Sequence, residues 1–140
     1  MYSKVSTVRF EFEVSYANHK SMSLLIETET GTEYFDQLPR GKFQHEISVQ
    51  FPTKIKITVD GKTANDTIVD DAGNIIADTY FKLVDMSVDR MPCFIDYLHN
   101  QVLNLQSGEF VKSNYWGFNG TVEIDLPEEN SFFWALTNSQ

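Results

Sequence analysis

The sequence predicts an all-β fold, a single antiparallel, jelly-roll-like sandwich domain over residues 1–140. Apolar and polar residues alternate in most segments, and these segments are short and evenly spaced between clusters of Asp, Asn, Gly and Pro. Alternation is expected where one face of a strand is buried and the other faces solvent. Because 41% of the 140 residues are hydrophobic and 14% aromatic, the chain can bury a core between two layers.

The first half of the chain contains five predicted strands. The clearest covers residues 8–14, where Val and Phe residues share one face while Arg9, Glu11 and Glu13 occupy the other. Pro52 ends the fourth strand, because proline cannot donate to a central ladder. The remaining four are expected at 23–29, 34–38, 43–51 and 55–59.

The second half continues the pattern, with one ambiguous stretch. Ile68-Val69 and Ile75-Ile76 form a hairpin signal around Asp70–Asn74, and further strands are expected at 80–88, 122–126 and 132–136. Within 92–105, apolar residues recur at intervals of three and four, which is compatible with a short helix or with a strand and an irregular loop. The total of roughly eight to ten short strands is typical of a sandwich.

Charge and composition exclude several functional classes. The net charge is −9, and residues 60–89 hold seven Asp against two Lys, which disfavours binding to nucleic acid or to anionic membranes. No apolar run is long enough to span a bilayer, and the first residues resemble a strand more than a signal peptide. The single Cys93 cannot form an internal disulfide, which suits a reducing cytosol.

The acidic hairpin region is a candidate calcium site. Calcium prefers hard oxygen ligands such as carboxylate and amide oxygens. The spacing does not match an EF-hand, and the alternative is a plain hairpin turn in which Gly73 takes the left-handed position. No other cofactor is expected. The candidate ligands are Asp66, Asp70, Asp71, Asn74 and Asp78.

An aromatic cluster near the end of the chain is a candidate ligand site. Aromatic rings stack on the apolar face of a pyranose while amides bond its hydroxyl groups. The alternative is that these rings belong to the core, where large aromatics at a strand entry more often lie. The candidate residues are Tyr115, Trp116, Asn119 and Trp134.

The sequence contains little evidence of a catalytic site. His19, His45 and His99 lie on separate segments without metal-binding spacing. Cys93 and His99 are close in sequence, but catalytic partners of a cysteine normally converge from distant segments. The sequence therefore predicts a protein that is not an enzyme.

The chain shows a family resemblance in two segments, TANDTIVDDAGNIIADTYFKLVDMSVD and YWGFNGTVEIDL. Over residues 55–126 it is similar to small uncharacterised β-sandwich proteins of tailed phages of marine bacteria, cyanobacterial phages especially. The resemblance implies a sandwich shared with many carbohydrate-binding modules. It also implies a virion-associated or decoration protein that contacts copies of itself or other virion proteins, located in the virion or the host cytoplasm. The alternative function is a carbohydrate-binding module that recognises a glycan, assisted by calcium.

Overall fold

A computed structural model describes residues 5–17, 22–50, 53–62, 67–92, 102–111, 115–116 and 118–126. Across these ranges the chain forms thirteen β-strands and no helix, so none of them could cross a membrane as a long apolar helix. In order the strands are β1 Val5–Ser15, β2 Ser23–Thr28, β3 Gly31–Phe35, β4 Gly41–Gln50, β5 Thr53–Asp60, β6 Thr67–Val69, β7 Ile75–Asp78, β8 Tyr80–Val88, β9 Met91–Pro92, β10 Val102–Asn104, β11 Phe110–Val111, β12 Tyr115–Trp116 and β13 Gly120–Leu126.

The strands form two facing sheets and one separate hairpin. Sheet A has the order β12-β8-β1-β4, and β9 also pairs with β8. Sheet B has the order β11-β10-β13-β5-β2-β3, and β6 and β7 pair with each other in a two-stranded sheet. Every pairing is antiparallel, which confirms the predicted all-β antiparallel sandwich.

Alternate side chains from both sheets fill the space between them. Phe10, Phe12 and Phe81 in sheet A are fully buried, and Ile55 and Ile57 in sheet B are equally inaccessible. The Phe12 ring centroid lies 5.1 Å from that of Phe81. Fully burying an apolar side chain of this size contributes about 1.5–3 kcal/mol, so this alternation is the main source of stability.

The ambiguous stretch at 92–105 is partly resolved. Residues 102–104 form β10, in which Leu103 pairs with Phe110 on one side and Thr121 on the other. The helix considered there is therefore wrong for these three residues, because their backbone groups are used in a sheet ladder. Residues 93–101 and the strand predicted at 132–136 lie outside the described residues.

Candidate ligand-binding groove

The outer face of sheet A is a polar surface centred on β1. Because β1 lies between β4 and β8, its outward side chains stand in rows with those of both neighbours. From one end of the sheet to the other, the rows are Ser48–Thr7–Asp89, Glu46–Arg9–Ser87, Gln44–Glu11–Asp85 and Lys42–Glu13–Lys82.

Two adjacent depressions that share lining residues lie along three of these rows, and we call them together the outer groove. The larger part has a volume of about 690 Å³ and the smaller about 160 Å³. Arg9 and Ser87 line both parts, so Arg9 occupies the centre of the outer groove. The larger part is lined by Thr7, Arg9, Glu46, Ser87, Asp89 and Arg90, and the smaller by Arg9, Glu11, Gln44, Asp85, Met86 and Ser87.

A two-residue turn closes one end of the outer groove. Asp89 and Arg90 connect β8 to β9, and their φ angles are +49° and +71°. Positive φ at both positions is the feature of type I′ hairpin turns, which normally use Asn-Gly or Asp-Gly. Asp89 is also tied to β1, since its Oδ1 accepts the Thr7 N–H at 2.9 Å and its own N–H donates to the Thr7 carbonyl at 2.8 Å.

A bulge in β8 shapes the other part of the outer groove. Glu11 pairs with Asp85 while Phe12 pairs with Leu83, so Val84 is an extra residue on β8. The Asp85 side chain turns back to accept the N–H of Met86 at 2.8 Å. Bulges commonly re-aim side chains beside functional sites. Here the bulge lies between the row of Asp85 and the row of Lys82.

The charges of the outer groove are arranged by position. Arg9 donates a hydrogen bond to the side-chain oxygen of Gln44, and Arg90 has no hydrogen-bond or ion-pair partner in the described part of the chain. Both guanidinium groups line the larger part together with the carboxylates of Glu46 and Asp89, whereas the smaller part is lined by Arg9 and by the carboxylates of Glu11 and Asp85. Guanidinium groups, hydroxyls and carboxylates together offer donors and acceptors side by side, which is the chemistry needed to bind a hydroxyl-rich molecule.

Trp116 lies in the core and not at the surface. Its side chain is 1% exposed, and its ring lies 5.3 Å from Phe81 and 6.4 Å from Phe118. Trp116 belongs to the short strand β12, which places its side chain on the inner face of sheet A opposite Phe81. The core alternative is therefore the one observed, and the ring has no open face for a sugar.

Asn119 is used in a structural contact. Its Oδ1 accepts the Lys62 N–H at 2.9 Å, and its Nδ2 donates to the Lys62 carbonyl at 3.0 Å. With 9% of its surface exposed, the amide has both ends committed to the backbone. The side chain of Tyr115 and the whole of Trp134 lie outside the described residues, so their predicted ligand roles stay predictions.

Of the predicted calcium ligands that the structure describes, Asp70 and Asn74 lie in one turn and hydrogen-bond each other, whereas Asp78 lies elsewhere. Asp70 Oδ1 accepts the N–H groups of Ala72 and Asn74, both at 2.9 Å, and these bonds hold the pKa of Asp70 below its ordinary value. Such bonds define a turn, and Gly73 at φ +87° takes the left-handed position expected of it.

Asp78 lies at the opposite end of β7 from this turn, and Lys62 neutralises it. Its Oδ1 accepts from Lys62 Nζ at 2.7 Å and from Thr67 Oγ1 at 2.6 Å. Asp71 is exposed and Asp66 lies outside the described residues. In the ranges that the structure describes, no three His, Cys, Asp or Glu side chains group as ion ligands.

The residues of the outer groove were not among the sites predicted from sequence. Arg9 and Glu11 were recognised only as the polar face of a strand. One local signal does exist: Asp89-Arg90 separates β8 from Met91 where a tight hairpin turn favours glycine, so an arginine there is unusual.

Comparison with known proteins gives a fold relationship. No family model and no curated protein matches the chain. One solved structure matches with a TM-score of 0.56 and 10% sequence identity, over 86% of this chain and 90% of that chain. It is the selenomethionine form of vCBM60. Its description states that circular permutation provides an evolutionary link between two families of calcium-dependent carbohydrate binding modules. At this identity the likeness shows that the two chains share a β-sandwich fold.

Proposed function

We propose that this β-sandwich is a glycan-binding module without catalytic activity, and that its ligand lies in the outer groove. The observation that carries the proposal is the groove itself, about 690 Å³ in its larger part, where the lining residues that the structure describes all have polar side chains. Binding sites for small molecules commonly have volumes of about 300–1,000 Å³. The donors and acceptors of the described lining residues favour a ligand rich in hydroxyl groups. The fold shared with a carbohydrate-binding module supports the same class of ligand.

The mechanism is hydrogen bonding from a rigid surface. Arg9, Glu46 and Ser87 stand on adjacent strands whose inner faces are buried, so their backbones are fixed before a ligand arrives. Fixed donors and acceptors lose little conformational entropy on binding, which raises affinity without large apolar contacts. Glycan binding through side chains of regular strands therefore requires no ring stacking by Trp116.

Replacement of Glu46 by alanine tests the proposal. The carboxylate accepts hydrogen bonds from sugar hydroxyls, and loss of a charged hydrogen bond is expected to weaken binding by about tenfold or more. A glycan array first identifies a ligand, and titration calorimetry then compares the variant with the unaltered protein. Glu123→Ala is the matched control, since Glu123 is an exposed strand glutamate on sheet B and its loss should leave affinity unchanged.

A second variant separates the outer groove from the aromatic cluster. Trp116→Leu should lower thermal stability, because a large buried ring is truncated, while the folded protein keeps its affinity. Loss of glycan binding in folded Trp116→Leu together with full binding in Glu46→Ala would refute the groove as the site. Calcium is tested in a parallel titration with chelator, and we expect binding in the outer groove to persist.

Assembly through protein contacts, as the phage resemblance implies, stays a prediction. The surface that would serve it is the β6–β7 hairpin, where Val69, Ile75 and Ile76 are 53%, 64% and 64% exposed. Exposed apolar groups of this kind are frequent at protein–protein contacts.

A further inference from the structure

We propose that the outer groove is specific for an acidic saccharide, in which Arg9 and Arg90 bind the carboxylate of a single uronic acid unit. This inference rests on the proposed glycan-binding function and adds a ligand class to it. The carboxylate would lie in the larger part of the groove, and neighbouring neutral sugar units would lie in the smaller part.

The first support is the concentration of arginine in the outer groove. The chain has a net charge of −9 and only three arginines, yet two of them line its larger part. Within the described residues Arg90 has no hydrogen-bond or ion-pair partner, and the guanidinium of Arg9 donates a hydrogen bond to the neutral Gln44. Glu46 and Asp89 line the same part, and Oδ1 of Asp89 accepts the Thr7 N–H. Guanidinium groups match the planar geometry of a carboxylate, so two of them without an ion pair can bind one carboxylate beside these acids.

The second support is the backbone conformation of Arg90. At φ +71° it occupies a position where glycine is favoured and where a long side chain is strained. A strained residue kept at the edge of a groove is a common sign of a functional role for its side chain. Here the strained turn directs an exposed guanidinium to the end of the outer groove.

The acidic side chains restrict how many anionic groups can bind. Glu11 and Asp85 stand opposite each other in one row of the smaller part, without a basic residue in that row. A second carboxylate placed there would be repelled at short range, whereas hydroxyl groups could donate to both acids. The outer groove is thus matched to one acidic unit followed by neutral units, and not to a polyanion.

The test compares three ligands. They are cellotetraose, cellotetraose with one glucuronic acid unit attached at its end, and a polyglucuronate. We expect the single-acid ligand to bind about tenfold or more tightly than cellotetraose, because charged hydrogen bonds to the two arginines are added. The advantage should shrink at high salt, since these charges are exposed. Polyglucuronate should bind more weakly per site than the single-acid ligand.

Arg90→Gly is the most informative variant because the turn itself favours glycine. It should raise the thermal unfolding temperature by removing the strain at φ +71°, while it abolishes most of the preference for the acidic ligand. Arg9→Gln should reduce the same preference, and Arg90→Asn serves if the glycine variant does not fold. Lys42→Gln is the control, since it removes one positive charge from the same face outside the outer groove.

The possible outcomes discriminate between the two proposals. Equal affinity for the neutral and single-acid ligands, or a preference that survives in both Arg90→Gly and Arg9→Gln, would overturn the acidic specificity and leave the glycan-binding proposal standing. An equal loss in Lys42→Gln would also overturn it, because the effect would then be one of net charge. Absence of binding to these saccharides and to every glycan on the array would overturn both proposals.

Discussion

At the scale of single residues, Ser6 is the clearest mismatch between chemistry and environment. Its side chain is 1% exposed on the inner face of β1, and its hydroxyl has no hydrogen-bond partner in the described structure. A buried hydroxyl without a partner costs roughly 1–3 kcal/mol. Ser6→Ala should therefore increase the free energy of unfolding by about 1 kcal/mol, measured by urea denaturation.

The control for this prediction is Ser48→Ala. Ser48 stands on the solvent face of β4, so its replacement should change stability by less than about 0.5 kcal/mol. A loss of stability in Ser6→Ala would mean that the hydroxyl is hydrogen-bonded in solution, for example to a buried water, and would contradict the prediction.

Trp116 shows why the sequence alone could not decide whether some side chains face the core or the surface. Alternation predicts that neighbouring residues of a strand face opposite ways, but it does not say which of Tyr115 and Trp116 faces inward. That choice follows from the pairing of Trp116 with Phe81 on β8, 35 positions earlier in the chain. The indole Nε1 is nevertheless buried without a described hydrogen-bond partner. The free energy gained by burying the ring is therefore larger than the cost of leaving this one N–H without an acceptor.

At the scale of elements, the β6–β7 hairpin depends on its turn. Asp70 accepts backbone N–H groups of Ala72 and Asn74, and this lowers its pKa below the ordinary value of 3.8. A lowered folded pKa means that the stabilisation is present above pH 3.8 and is lost as the pH falls through the lower folded value. The protection factors of the hairpin amides should therefore stay constant down to about the ordinary carboxyl pKa and fall below it.

Above pH 3.8, Asp70→Ala should lower the protection factors of the hairpin amides, because the turn loses its acceptor, and the difference should disappear as Asp70 becomes protonated. Asp71→Ala removes the same charge one residue later, at an exposed position, and should leave exchange unchanged. Equal acceleration in both variants would indicate a general charge effect and would rule out a specific role for Asp70 in the turn.

The local sequence pattern was sufficient to predict most strands and turns, but it was not sufficient to predict the outer groove. The strand at 8–14 and the turn at Asp70–Asn74 were predicted because alternation and turn chemistry act between near neighbours. The outer groove joins Arg9 to Arg90, which are brought together only by the pairing of β1 with β8. Because sheet order depends on the whole chain, no local signal could place these two side chains in one groove.

At the scale of the whole molecule, Tyr16 connects the two sheets at one end of the sandwich. It follows β1 of sheet A, and its hydroxyl donates to the carbonyl of Leu38 at 2.6 Å, while the Leu38 N–H donates to Met22 beside β2 of sheet B. Arg40 lies over the Tyr16 ring at 5.9 Å. Burial of the phenol raises the pKa of Tyr16 above 10.0, because the charged form would be desolvated.

The raised pKa predicts a loss of stability in alkaline solution. A folded pKa above the unfolded value of 10.0 means that the contribution of Tyr16 is complete below pH 10 and is lost as the pH rises towards the folded value. At neutral pH, Tyr16→Phe should destabilise the protein by about 1 kcal/mol through the lost hydrogen bond. Above pH 10 the difference between the two proteins should shrink, because only the unaltered one gains from ionisation on unfolding.

Urea denaturation from about pH 8 to about pH 11 measures this difference. Tyr34→Phe is the control, since Tyr34 is 62% exposed and its loss should leave the alkaline slope unaltered. Parallel stability curves for Tyr16→Phe and the unaltered protein would show that Tyr16 ionises equally in both states. The junction between the sheets would then have to be open to solvent, in conflict with its 6% exposure.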